Sequence, residues 1–327
     1  MRVATQRSRA AWPAAAVAVA LAVLAAPAAA TLCGDAVDGH DVPCACGDVL
    51  VSSVVLDGDP VTAEICPRDG LLVRAQDGRS AMRIDLHGHT LRGSGAGTGL
   101  RVLDGGPGGA RIVSTGGAAT IERFADGITA RGAQGVALIE DVRVRGSSSD
   151  GLRISGRGFV VRRVVVEEVK RDGFSFTGAG FEVSETRASD CGRFGYSVMG
   201  HSAIVGRPGG GNLAERSGTA GFNVMGNGHT LEACTARDGH KDGLALLATH
   251  LEVRDCAATG NAGDGIGGVG SGWQLAGNRA EGNGGDGLSA RGPGMVDGGG
   301  NRGADNRGAG RERSVVQCVI GSAPCRP

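Results

Sequence analysis

Eight times between residues 126 and 288 the chain returns to one three-residue phrase: a small or acidic residue, a glycine, then a large apolar side chain. The instances are Asp126-Gly127-Ile128, Asp150-Gly151-Leu152, Asp172-Gly173-Phe174, Phe194-Gly195-Tyr196, Ala220-Gly221-Phe222, Asp242-Gly243-Leu244, Asp264-Gly265-Ile266 and Asp286-Gly287-Leu288. Only Phe194 departs from the first position. Successive glycines lie 24, 22, 22, 26, 22, 22 and 22 residues apart. A period of this length specifies a solenoid, whose units bury apolar surface only against their neighbours.

Aligning the units on that glycine exposes further columns. A second glycine follows five residues on, at 132, 156, 178, 200, 226, 270 and 292, with Ala248 the exception. The large apolar column (Ile128 to Leu288) is followed two residues later by Ala130, Ile154, Phe176, Val198, Val224 and Leu246. Period two means strand, with these columns facing inward. Between them, Thr129, Arg153, Ser175, Ser197, Asn223 and Ser289 should face water. A small column (Val166, Ala188, Ala236, Ala258, Ala280) and an apolar one (Val161, Val183, Leu231, Val253, Leu275) fit two more strands per unit. Three short strands and their turns make one coil of a parallel β-helix. A leucine-rich repeat has a similar period, but its Leu-x-x-Leu-x-Leu pattern and helical segments are missing.

The 61 glycines compare with about 23 expected at average usage. They follow no collagen period, and the apolar content is too high for disorder. Arg2, Arg7 and Arg9, the apolar run Ala14 to Ala26, and Pro27 before Ala28-Ala29-Ala30 read as a cleaved export signal over residues 1–30. The run is too short to span a bilayer, and Leu32 before Cys33 argues against a lipoprotein. Without the leader, 31 basic residues face 34 acidic ones, a balance of −3. That offers no electrostatic footprint for nucleic acid. Cys33, Cys44, Cys46 and Cys66 precede the regular units, and Cys318 and Cys325 follow them. In an exported chain these are disulfides, Cys44 and Cys46 not pairing with each other, which leaves two pairings open. Cys234 and Cys256 share a repeat position and read as a buried thiol ladder, with Cys191 the free cysteine. The expected organisation is a Cys-rich cap with the first coils over 31–83, regular repeats over 84–308 and a C-terminal cap over 309–327, about eleven coils in all.

Asn261-Ala262-Gly263-Asp264-Gly265-Ile266 and Asn283-Gly284-Gly285-Asp286-Gly287-Leu288 resemble the Asn-x-x-Asp-Gly-Ile pattern of pectin lyase-like β-helix repeats. Ile84 to Leu91 looks like the early Leu-Asn-Gly-His-Thr strand of secreted bacterial β-helix proteins. The resemblance covers roughly Cys33 to Asn306 and implies an all-β, single-stranded right-handed parallel β-helix. It also implies polysaccharide as the ligand class, laid along one long parallel sheet. The catalytic motifs of polygalacturonases, pectate lyases and mannuronan epimerases are not found in this chain.

The segment Arg237 to Asp242 carries the densest candidate chemistry. If extended, Asp238, His240 and Asp242 would project from one face. His240 or Lys241 could then abstract a sugar C5 proton while Arg193 or Arg171 neutralised the carboxylate, or Asp238 and Asp242 held Ca2+ to do so. Arg171, Arg193 and Lys241 share the position just before the repeat and could bind an acidic polymer; pairing with Asp150, Asp172 or Glu168 is the structural alternative. His87, His89, His201, His229 and His250 are too scattered for a zinc site. Phe174, Phe176, Phe181, Tyr196, Phe222 and Trp273 fall mainly in inward columns. Pro208 to Gly211 reads as a surface loop in the longest unit. The expected function is binding of an extracellular carbohydrate polymer. The rivals are a polysaccharide lyase or uronate epimerase, and a non-catalytic surface or adhesion protein.

Overall fold

The computed structural model describes residues 30–76, 81–132, 135–307 and 317–325. The export signal read over residues 1–30 lies almost wholly outside them. The chain coils as a right-handed parallel β-helix with three sheets. The long sheet has 15 strands; the second and third have 11 each, one per coil. In a representative coil, Leu152–Arg157 belongs to the long sheet, Val160–Arg162 to the second and Val165–Glu167 to the third. The next coil begins at Phe174, which lies in register on Leu152. Eleven coils at the usual strand spacing give a rod about 50 Å long.

The inward columns read from the sequence are the core. Phe174, Tyr196 and Phe222 stack face to face with centroids 4.7 and 4.5 Å apart, each pair adding about 0.5–1.5 kcal/mol beyond its burial. Phe159 stacks on Phe181 at 4.6 Å, and Trp273 is fully buried in the same column. The two glycine columns exist because coils touch there. A Cβ on Gly151 would sit 2.3 Å from Val166 and 2.6 Å from the Gly173 carbonyl. One on Gly200 would sit 1.9 Å from the Gly178 carbonyl, at a backbone φ of +128°.

Turns between sheets are held by buried polar ladders. The Asn261 and Asn283 side chains each receive the backbone N–H of the preceding coil's corner, and each donates to the next ladder oxygen. The ladder continues to Asn306, and a second one joins Asn278 to Asn301. Cys33 bonds to Cys44 and Cys46 to Cys66, which settles the pairing left open above; Cys318 bonds to Cys325. Cys191, Cys234 and Cys256 are all free and buried. Both ends of the long sheet finish in an antiparallel hairpin, Leu32–Val37 with His40–Val42 and Cys318–Ile320 with Ala323–Pro324. Each hairpin covers an edge that would otherwise offer unpaired backbone.

Candidate functional site

The three outer faces use their charges differently. On the third sheet five arginines are tied across coils: Arg92 to Glu122 at 2.7 Å, Arg143 to Glu167 at 3.3 Å, Arg145 to Glu168 at 2.9 Å, and both Arg187 and Arg237 to Glu215. On or beside the second sheet, Arg83 meets Asp85, Arg163 meets Asp141 and Arg254 meets Glu252 at 2.8–3.0 Å. Such pairs consume most of the cationic surface. Where both partners are exposed, as in Arg145–Glu168, such a pair adds under about 1 kcal/mol; the carboxylates of Asp85 and Glu215 are buried beneath their arginines.

The long sheet differs. Its first outward column runs Arg101, Thr129, Arg153, Ser175, Ser197, Asn223, Ala245, Gly267 and Ser289. The second runs Arg131, Ser155, Thr177, Met199, Met225, Leu247, Val269 and Arg291 in the same registers. The water-facing column expected from the sequence is this first one, although Ser197 and Ser289 are buried. A depression of about 370 Å³ lies over the early coils, lined by Thr98, Arg101, Asp126, Thr129, Arg131 and Arg153. A second, of about 300 Å³, continues beside it along Ser155, Arg157, Ala179 and His201.

Within this face two arginines are fixed and two are not. The Arg101 guanidinium donates to Asp69 at 2.9 Å, and Arg153 donates to Asp150 at 2.8 Å and to Asp126 at 3.0 Å. These aspartates belong to the corner leading into the long sheet, so they preset each guanidinium over the depression. Arg131 and Arg157 are exposed and make no ion pair among the described residues. Hydroxyls of Thr129, Ser155 and Thr177 intervene. Fixed forks beside free cations and hydroxyls can receive carboxylates and sugar hydroxyls together.

The repeat's aspartates are structural first. Asp150 Oδ1 accepts the Asp172 N–H, Asp242 Oδ1 the Asp264 N–H and Asp264 Oδ1 the Asp286 N–H, at 3.2, 2.9 and 2.8 Å. Arg193 is clamped by both oxygens of the buried Asp172, and its guanidinium lies 5.0 Å from the Phe194 ring centroid. Arg171 lies 3.8 Å from Asp150. Both arginines therefore sit in the pairing named above as the alternative. Lys241 and His240 are exposed on the corner before strand Asp242–Thr249.

The expectation that residues 238–242 are extended is corrected here. Asp238 has φ +55°, because each coil turns from the third sheet to the long sheet at that position, as at Glu168, Asp190 and Arg216. Asp238 and Asp242 consequently lie on opposite sides of a bend rather than on one strand face. No cluster of three or more His, Cys, Asp and Glu side chains suited to a metal ion occurs among the described residues. His229 is fully buried, accepting the Ala203 N–H at Nδ1 and donating from Nε2 to the Met225 carbonyl. The Pro208 to Gly211 loop connects the second sheet to the third, away from the long sheet's outer face.

Sequence reasoning missed Arg101, Arg131 and Arg157. Their positions in outward columns were readable from the register, but three scattered arginines carry no period of their own.

No protein-family model and no curated protein matches this chain. Among solved structures it is similar to a periplasmic alginate epimerase, with 14% identity and a TM-score of 0.44, over 68% of this chain and 63% of that one. The chain thus spans somewhat under two thirds of that epimerase. It is also similar to the A-module of a mannuronan C-5 epimerase from Azotobacter vinelandii, at 14% identity and a TM-score of 0.43, over 78% and 83% of the two chains. A pectate lyase shows 14% identity and a TM-score of 0.39, over 82% and 74%.

Proposed function

We propose that this β-helix of the pectin lyase-like fold is an exported protein that holds an acidic carbohydrate polymer across the early coils of its long sheet. The observation that carries this reading is the contrast between faces. Five third-sheet arginines, from Arg92 to Arg237, are spent on cross-coil glutamates, whereas Arg131 and Arg157 stand exposed beside depressions already furnished with preset guanidinium groups from Arg101 and Arg153. A linear polyanion running along the rod would meet a cation or hydroxyl at each coil step of about 4.8 Å. Export accords with three disulfides and the leader read from the sequence. No helix among the described residues is long and apolar enough to cross a membrane.

The test is affinity electrophoresis and calorimetry of the mature protein with pectate, alginate and hyaluronan at several salt concentrations. Binding should weaken with salt and fall about tenfold or more in an Arg131→Ala/Arg157→Ala double variant, since each tenfold step is about 1.4 kcal/mol. Binding that is indifferent to both salt and this variant would sink the reading. A rise in unsaturated-uronide absorbance that vanishes in His240→Ala/Lys241→Ala would replace it with a lyase.

A further inference from the structure

Farther along the same face the chemistry reverses. Met199, Met225, Leu247 and Val269 lie in register on four successive strands, with Leu247 60% and Val269 56% exposed. Opposite them stand Asp242 and Asp264, and Ala245 and Gly267 form the floor between, enclosing a groove of about 340 Å³. Asp264 Oδ1 is committed to the backbone of the next coil, but Oδ2 lies over Gly267, 3.4 Å from where a Cβ there would be. Asp264 has no ion pair among the described residues; the nearby Arg291 lies 3.8 Å from Asp286 instead.

We infer that this groove is a second sugar subsite, selective for uncharged pyranose units. The polymer would then carry neutral or esterified residues next to acidic ones. The inference rests on the reading that the long sheet's outer face holds a polysaccharide. Carboxylate oxygens accept hydrogen bonds from sugar hydroxyls, and aliphatic side chains cover the C–H face of a ring. A flat floor of Gly and Ala lets that ring lie close to the backbone. A free uronate carboxylate would be repelled by Asp242 and Asp264. Burial, together with Asp242 and Asp286, raises the Asp264 pKa, in keeping with a site hostile to further negative charge. The two halves of one face would therefore sort the polymer by charge, acidic units over Arg131 and Arg157 and uncharged units over Leu247 and Val269.

Calorimetry with hexagalacturonate, its full methyl ester and a block-esterified pectin tests this on the mature chain. Gly267→Val fills the groove floor without backbone strain, because Gly267 has no positive φ and its new Cβ would meet only ordinary contacts. It should cut affinity for the methyl ester about tenfold or more and leave the acidic hexamer unchanged. Arg131→Ala/Arg157→Ala should do the converse, and block-esterified pectin should outbind both hexamers for the wild type. If the acidic hexamer binds and the ester does not, or Gly267→Val leaves ester binding intact, the second subsite is lost while the acidic-polymer reading stands. If the ester binds through Gly267 and the acid fails to bind, the earlier reading is lost and the groove stands. A concentration-dependent dimer abolished by Leu247→Asp would show that a second copy covers the stripe, and would overturn the inference.

Discussion

Asp85 is buried at a corner and accepts four hydrogen bonds: from Arg83 at 3.0 Å, from the His87 N–H at 3.0 Å, and from the Thr115 N–H and hydroxyl at 3.0 and 2.8 Å. Burial alone would raise its pKa, yet these donors outweigh burial and hold it at about 2. A carboxylate whose folded pKa lies below its unfolded value stabilises the fold above the ordinary aspartate range. That contribution is lost as pH falls through the folded value. At about 1.4 kcal/mol for each pH unit, that difference is worth about 2.5 kcal/mol. Asp85→Asn should therefore lower the urea midpoint near neutrality and flatten the loss of stability between about pH 4 and pH 2. An unchanged acid profile would mean that these donors do not act as a set. The sequence offered Asp85 only inside a resemblance to an early β-helix strand. Arg83 and His87 are two positions away, but Thr115, which supplies two of the four bonds, lies 30 positions on, one coil later, where no local pattern links it.

At the scale of the element, what could be read in the sequence was whatever the period repeats. The inward columns were legible because a strand alternates and each coil stacks on the last; Val161, Val183, Leu231 and Val253 lie in one sheet as expected. The left-handed corner at Asp238 was missed because an aspartate there looks like any turn residue. Gly260 and Gly282, its counterparts one and two coils on, carried the signal. The asparagine columns were legible as a motif but not as a mechanism. Asn283 receives the N–H and side-chain amide of Asn261, and donates to the Ala258 carbonyl and the Asn306 oxygen, all fully buried. Replacing it with Ala strands the Asn261 donors and the Ala258 carbonyl, all on the preceding coil, at about 1–3 kcal/mol for each group left unsatisfied. Asn283→Ala should thus lose about 2–4 kcal/mol by chemical denaturation, whereas Arg279→Ala, an exposed outward neighbour, should lose under about 1 kcal/mol. Equal losses would show that the buried ladder holds the coils no more firmly than an exposed ion pair does.

Across the whole molecule, each coil is stabilised only by the coils beside it, so stability should vary along the rod. The middle is filled by the Phe174–Tyr196–Phe222 stack and by Phe159 on Phe181. Toward the C-terminus the second inward column falls from Leu246 to Gly268 and then Ala290. Trp273 compensates locally: its ring lies where a Cβ on Gly270 would be, and its Nε1–H donates to the Ala248 carbonyl at 2.7 Å. Beyond it, no comparable buried side chain among the described residues fills the coil at Val296 and Arg302, so that end depends on the hairpin closed by Cys318–Cys325. Opening this staple with Cys318→Ser/Cys325→Ser should therefore fray the rod from one end. Amide exchange should rise about tenfold, or about 1.4 kcal/mol of local opening, in strand Leu288–Arg291 and fade within a few coils. Strands Leu152–Arg157 and Phe174–Ala179 should keep their protection. If exchange rose uniformly along the chain, the coils would open as one cooperative block, and the charge-sorted face would rest on an all-or-none scaffold. If the change stays local, the early coils that carry Arg131 and Arg157 hold their geometry whatever happens at the far end.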